Sequence, residues 1–196
     1  MALTFLTVCG SLRARSSNAA LLDAVSLLAP AGVAVERYDG LVALSPFNPD
    51  DDVEPAPPAV SALRARVATA DALVISSPEY AHGVPGALKN ALDWLVSGVE
   101  IFQKPVALLN PSPGSLFAHP QLMETLRVMS ATVVEDACLT LSIAGRGLDA
   151  EGIAREPELA EAIRDALERL ASRAGDGIIT RCALPAISPP SGGSSA

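Results

Sequence analysis

The sequence predicts an α/β protein built on a parallel, doubly wound sheet. Short apolar runs alternate with amphipathic helical stretches along most of the chain. The run at 71–77 has an unbroken apolar centre, Ala72-Leu73-Val74-Ile75, as expected of a central parallel strand covered on both faces. With 196 residues, 49% of them hydrophobic, the chain is long enough to bury one α/β core without staples and leaves little room for a second.

Each element follows from local pattern. Leu3–Cys9 reads as a buried strand, and Ser17–Leu28 as a helix with Leu21, Leu22, Val25 and Leu28 on one face. After the turn Pro30-Ala31-Gly32, Val33–Tyr38 reads as a second strand. A polar loop over 41–57 carries Pro46, Pro49, Pro55 and the acidic trio Asp50, Asp51 and Asp52, expected to be solvated. Pro57 and Pro58 suit the first turn of a helix running to about Ala70. The third strand at 71–77 leads through a loop at 78–85 into a helix over 86–96. A fourth strand at 105–109 and a helix at 120–129 follow. Residues 131–134 and 138–143 together form a fifth strand region whose register the pattern leaves open. The last helix, at 156–174, places Leu159, Ile163, Leu167 and Leu170 on one face. Residues 1–174 are expected to be one domain, and 175–196 a flexible tail rich in Pro, Gly and Ser.

Composition narrows the function. A net charge of −8 argues against a nucleic-acid binder, which needs a basic face, yet leaves room for one small phosphate pocket. Mean hydropathy is high at +0.34, but no run reaches the roughly 18–20 apolar residues of a membrane span. The stretch 19–35 comes nearest and is broken by Asp23, Pro30 and Gly32. No basic region precedes the first apolar run, so a secretory signal is not expected. Cys9, Cys138 and Cys182 are an odd, widely spaced set, and there are only two histidines. No metal spacing appears, and a reduced, cytoplasmic protein is expected. The apolar excess belongs in the core, in a subunit interface, or in both.

In such sheets ligands sit beyond the carboxyl ends of the strands, where the strand order reverses. The loop after the first strand reads Gly10-Ser11-Leu12-Arg13-Ala14-Arg15-Ser16-Ser17-Asn18. Gly10 permits close backbone approach, and Ser11, Ser16 and Ser17 supply hydroxyls. Arg13 can form a forked, charge-assisted pair, and a helix start points N–H groups at an anion. This suits a terminal phosphate, although it is neither a P-loop nor a GxGxxG fingerprint. The plainer alternative is a helix N-cap at Ser16 or Ser17 with two solvated arginines.

The loop after the third strand reads Ser77-Pro78-Glu79-Tyr80-Ala81-His82-Gly83-Val84-Pro85-Gly86-Ala87-Leu88-Lys89-Asn90-Ala91-Leu92-Asp93-Trp94. Together, GSLRxxSxN and PEYxxGxPGxLKNxxDW resemble the NADPH-dependent FMN reductase family, flavodoxin-like proteins that include quinone, azo and chromate reductases. Pro46-Phe47-Asn48-Pro49-Asp50 and Lys104-Pro105-Val106 also look like that family, and the likeness covers about residues 3–170. The resemblance implies a flavodoxin-like five-stranded sheet of order 2-1-3-4-5. It implies that Ser11, Arg13, Ser16 and Asn18, with Ser17 beside them, hold the FMN phosphate and ribityl chain. Pro78, Glu79 and Tyr80 would lie along the isoalloxazine ring, and Ser112 would close the third side. Two departures stand out. Ala81 replaces the asparagine the family often carries, which removes one side-chain contact to the flavin. Phe117-Ala118 stands where the family often has a glycine pair, which alters a wall of the substrate pocket.

The expected activity is transfer of hydride from NADPH or NADH to FMN and of two electrons onward to a quinone, free flavin, azo dye or metal oxyanion. Hydride transfer needs two stacked rings about 3–3.5 Å apart. The flavin carries that chemistry and the protein holds and tunes it. With one Trp, two Tyr and four Phe in the chain, an uncovered flavin face is the simpler expectation. No side chain is expected to be an obligatory acid or base. Glu79 is expected to fix its loop by hydrogen bonding, and Trp94 to pack against a neighbour or a subunit. His82 is a minor candidate for protonating a quinone, His119 an ordinary helix-start residue, and Cys9 a buried, inert thiol. A homodimer or homotetramer is expected. Two alternatives remain at this point: a flavin-binding electron shuttle or regulatory module without NADPH turnover, and a flavin-free binding domain that retains the motifs.

Overall fold

The computed structural model describes residues 2–183. Its strands are β1 (Leu3–Cys9), β2 (Val33–Tyr38), β3 (Ala72–Ser76), β4 (Pro105–Asn110), β5 (Thr132–Val133) and β6 (Leu139–Thr140). Its helices are α1 (Ser17–Leu28), α2 (Pro58–Thr69), α3 (Gly86–Val96), α4 (Ala118–Val128), α5 (Ala150–Arg155) and α6 (Pro157–Ala183). The sheet runs β2-β1-β3-β4-β5, with β6 also paired to β4, and every ladder is parallel. The order reverses between β1 and β3.

The period of two along each strand divides the core between the two faces. Phe5 and Cys9 of β1, Ala72 and Val74 of β3, and Ala107 and Leu109 of β4 pack under α1, α5 and α6. Leu6 and Val8, Leu73 and Ile75, and Val106 and Leu108 pack under α2, α3 and α4. Leu21, Leu22, Val25 and Leu28 form the buried face of α1, and Leu159, Ile163, Leu167 and Leu170 that of α6, as their spacing requires.

Four local readings need correction. The fifth strand region is two short strands separated by a 3-10 turn at Glu135–Ala137. Both pair with β4, and Cys138 fills the gap between them. Its Sγ accepts from the Leu108 amide at 3.3 Å and approaches the Val134 carbonyl at 3.4 Å, so a buried ladder amide finds a sulfur in place of a carbonyl. The acidic trio is not uniformly solvated: Asp52 pairs with Arg64 at 2.8 Å, and both side chains are largely buried. Helix α5, capped by Asp149 accepting from the Gly152 amide at 2.8 Å, is too short to show as a periodic pattern. Helix α6 continues past Ala174 to Ala183, so the expected tail begins as helix. The rest of that tail, 184–196, lies outside the described residues.

Trp94 packs inside the domain and not on a subunit face. It is fully buried, its Nε1 donates to the Ser45 carbonyl at 2.8 Å, and Phe47 meets it edge-on at 5.0 Å. The polar loop before α2 is thereby held to α3, with the Phe47 amide donating to Asn90 Oδ1 at 2.7 Å.

Candidate active site

The carboxyl ends of β1, β3 and β4 open into a cleft of about 1260 Å³. Its first wall is the loop from Gly10 to Ser16. The Gly10 amide donates to the Ser76 carbonyl at 2.8 Å, so the loop leaves β1 tight against β3. A Cβ on Gly10 would lie 2.6 Å from Ser77 Oγ and 3.0 Å from its Cβ, which only glycine avoids. Ser11 is buried, and its Oγ accepts from the Arg13 amide at 3.4 Å. Ser16 is the N-cap of α1, its Oγ accepting from the Asn18 amide at 3.2 Å. Asn18 is buried in the first turn, and its Oδ1 accepts from Ser76 Oγ at 2.9 Å, which anchors the helix start to the end of β3. Arg13 and Arg15 are exposed and make no ion pair with a carboxylate among the described residues. Two cations that pair with no carboxylate among the described residues thus stand beside a helix start, whose N–H groups and dipole favour negative charge.

The second wall is the loop after β3. Tyr80 and Gly83 exchange backbone hydrogen bonds of 3.1 and 2.9 Å, closing a turn with Ala81 and His82 at its tip. Both tip residues have positive φ, +49° and +60°, a conformation costing a non-glycine residue roughly 1–3 kcal/mol. Contacts with the next loop hold this turn. Glu79 Oε2 accepts from the Phe117 amide at 2.7 Å, the Ala118 amide at 2.8 Å and Ser115 Oγ at 3.2 Å. Gln121 Oε1 accepts from the Val84 amide at 3.1 Å, and the His82 and Phe117 rings stack at 4.1 Å. Glu79 thus caps α4, which has no side-chain cap of its own. The Ala118 amide, then the Phe117 amide and the Ser115 hydroxyl, hold its carboxyl below the usual glutamate range. Its carboxylate serves as the expected structural tie. His119, in the first turn of α4, is half-buried, and burial pushes its imidazole down.

The third wall follows β4. Asn110 is buried and its Oδ1 accepts from the Ser112 amide at 3.0 Å, which shapes the turn beneath Ser112. Of the residues singled out from the sequence, Ser11, Arg13, Ser16, Ser17, Asn18, Pro78, Glu79, Tyr80 and Ser112 all line the cleft. Ala81 stands at the turn tip, outside that lining. Tyr80 is the one aromatic among the lining residues.

A fourth wall escaped the sequence reading. Ala144, Gly145, Gly147, Leu148 and Asp149, between β6 and α5, and Ala150 and Glu151 at the start of α5 line the far arm of the cleft, facing α1. They are tied in by the Ile143 and Ala144 amides, which donate to the Pro111 carbonyl at 3.0 and 2.8 Å. The available signal was the pair Gly145 and Gly147, both at positive φ, just past the last strand.

The model of the family described as NADPH-dependent FMN reductase matches residues 3–145. The NAD(P)H-dependent FMN reductase of Pseudomonas aeruginosa is 32% identical over 170 residues, covering 84% of this chain and 91% of that protein. The chain belongs to the NADPH-dependent FMN reductase family. A quinone reductase of Escherichia coli is 36% identical over 115 residues, covering 57% of this chain and 61% of that protein. Among solved structures, the flavoenzyme NAD(P)H:(acceptor) oxidoreductase FerB of Paracoccus denitrificans superposes with a TM-score of 0.78 at 23% identity. It covers 89% of this chain and 98% of that one, and this likeness supports the flavodoxin-like fold. As a family member the chain is an NAD(P)H-dependent flavin oxidoreductase with FMN as its cofactor, and the electron-shuttle alternative gives way to an enzyme. The donor set fits that cofactor: serine hydroxyls, free arginines and a helix start at one end of the cleft, and an exposed, mostly neutral lip at the other.

Proposed function

We propose that this enzyme passes two electrons from NAD(P)H to a small acceptor, with quinones foremost, at the cleft over β1, β3 and β4. The carrying observation is the pairing of an anion site at Ser11–Asn18 with an open mouth at Tyr80. Ser11, Arg13, Ser16, Ser17 and Asn18 would hold the FMN phosphate and ribityl chain. Pro78, Glu79, Tyr80 and the backbone at Ala81 would border the ring, and Ser112 would close the third side. When bound, FMN accepts a hydride and returns two electrons. The chain's own residues bind and orient. Arg13 neutralises phosphate charge, Glu79 holds two loops in register, and no side chain need move a proton in the reductive half. Over a full turnover, NAD(P)H, one proton and a quinone give NAD(P)⁺ and hydroquinone, with solvent supplying the proton. The quinone reductase among the relatives supports this choice of acceptor.

Exposed Val96, Val99, Phe102 and Val128, at the carboxyl ends of α3 and α4, support a homodimer or homotetramer. Among the described residues no helix is long and apolar enough to cross a membrane, and Cys9 and Cys138 are free thiols. These features support a cytoplasmic setting.

Purified protein should show the two-banded visible spectrum of bound FMN and consume NADPH steadily with menadione. A colourless protein, or a coloured one that NADPH does not bleach, would overturn the reading. Sedimentation equilibrium should give a dimer or tetramer mass; a monomer would remove the assembly.

A further inference from the structure

We infer that Arg15 recognises the 2′-phosphate of NADPH and so makes this enzyme favour NADPH over NADH. The inference rests on the reading that the cleft holds FMN and receives NAD(P)H, and it names the side chain that tells the two donors apart.

Three observations converge. First, Arg15 is a cation of the cleft that the FMN reading leaves without a task. The stretch GSLRxxSxN carries Arg13 and leaves position 15 open. Arg13 borders both the cleft and a smaller hollow on the β2 side with Arg37 and Asp39, whereas Arg15 borders the cleft and not that hollow. Second, Arg15 is exposed and pairs with no carboxylate among the described residues, although the same cleft is bordered by acidic side chains. Those carboxylates have other partners: Asp23 holds Arg37 at 2.7 Å, Glu79 Oε2 takes three donors, and Asp149 caps α5. The guanidinium is therefore available to an outside anion. A phosphate monoester carries nearly two negative charges and suits the forked donors of arginine. FMN brings the same phosphate whichever donor binds, so only the 2′-phosphate distinguishes NADPH from NADH. Third, the cleft continues past the start of α1. Ala19 and Ala20 on one side and Gly145 and Gly147 on the other border its far arm, and side chains this small leave room for a flat nucleoside. Asp149 and Glu151 border that arm too and repel a phosphate there, which leaves the loop before α1 as the side where a 2′-phosphate finds a counter-charge.

The test uses FMN-loaded protein with menadione as acceptor and compares the two donors. The parent should favour NADPH in kcat/KM. In Arg15→Gln the ratio of kcat/KM for NADPH to that for NADH should fall about ten- to a hundredfold, chiefly through the KM for NADPH. Arg15→Lys, which keeps the charge, should retain part of the preference. Independently of turnover, calorimetry on the oxidised, FMN-loaded parent should show adenosine 2′,5′-bisphosphate binding more tightly than adenosine 5′-monophosphate, by about tenfold or more. In Arg15→Gln the two should bind alike. A parent that uses both donors equally, or a ratio that Arg15→Gln leaves unchanged, overturns the inference and leaves the reductase reading intact. So does an apo-protein of Arg15→Gln that binds FMN about ten- to a hundredfold more weakly, because Arg15 would then serve the FMN phosphate. A parent that oxidises neither NADPH nor NADH overturns the reductase reading and the inference with it.

Discussion

The loops after β1 and β3 face each other across one cleft but are held by different kinds of bonds. The first is local. Ser11 accepts from Arg13 and Ser16 from Asn18, each two residues away, and an N-cap residue fixes where α1 begins. The second is held from a distance: Glu79 reaches Ser115, Phe117 and Ala118, and Gln121 reaches back to Val84. Its tip carries two residues in a conformation they would not keep alone. A loop whose internal bonds are short-range takes its shape as soon as the helix starts. A loop built from long-range bonds has its shape only once β4 and α4 are in place.

The largest effect should come from cutting the long-range tie. Glu79→Ala leaves α4 uncapped and the turn unsupported, and a displacement near 1 Å can cost about a hundredfold in turnover. Steady-state kinetics with NADPH and menadione at full FMN occupancy measure this. Glu79→Gln, which keeps an acceptor oxygen, should stay within about tenfold of the parent in stopped-flow bleaching by NADPH. A general acid or base would be worth about 10²–10⁴, so a thousandfold loss in the glutamine variant would replace the tie with proton transfer.

On the other side of the comparison, Arg13→Ala should weaken FMN binding about ten- to a hundredfold, the usual worth of a charge-assisted pair at about 1.5–3 kcal/mol. Fluorescence titration of the apo-protein reads this, and an unchanged Kd removes Arg13 from the site. The turnover of fully loaded protein should change far less than for Glu79→Ala, which separates holding the cofactor from shaping the mouth.

Where the two loops meet, Gly10→Ala should destabilise the fold by about 1–3 kcal/mol in urea unfolding, because the new Cβ runs into Ser77 and Leu88. Ser16→Ala should cost about 1 kcal/mol, the typical value of an N-cap. That variant should leave the Glu79 ties untouched, as judged by amide exchange at Phe117 and Ala118.

Acid provides a reversible version of the first experiment. The folded pKa of Glu79 lies below its ordinary value of 4.5. Its tie is therefore complete above that value and is lost as the pH falls through the lowered folded pKa. Amide protection at Phe117 and Ala118 should hold from neutrality down to about pH 5 and collapse only in stronger acid. Protection lost near pH 6 would show that Glu79 is not the cap.

Much of this protein follows from the sequence by itself, because its causes are local or periodic. Strand runs of period two, helical stripes and proline–glycine punctuation placed β1 to β4 and α1 to α4 close to their observed limits. They also put the informative loops at the carboxyl ends of the strands. The serine- and arginine-bearing loop could be read directly, since its internal bonds span two residues. The tertiary structure decided what depends on distant partners. It split the fifth strand and set Cys138 against the Leu108 amide. It brought Ala144, Gly145 and the stretch from Gly147 to Glu151 to the cleft as a fourth wall, although no spacing links them to Ser11 or Tyr80. It gave Glu79 its three donors and brought His82 onto Phe117. Each of these is a contact between segments whose separation along the chain carries no pattern, and only packing the two helical layers onto one sheet brings them together.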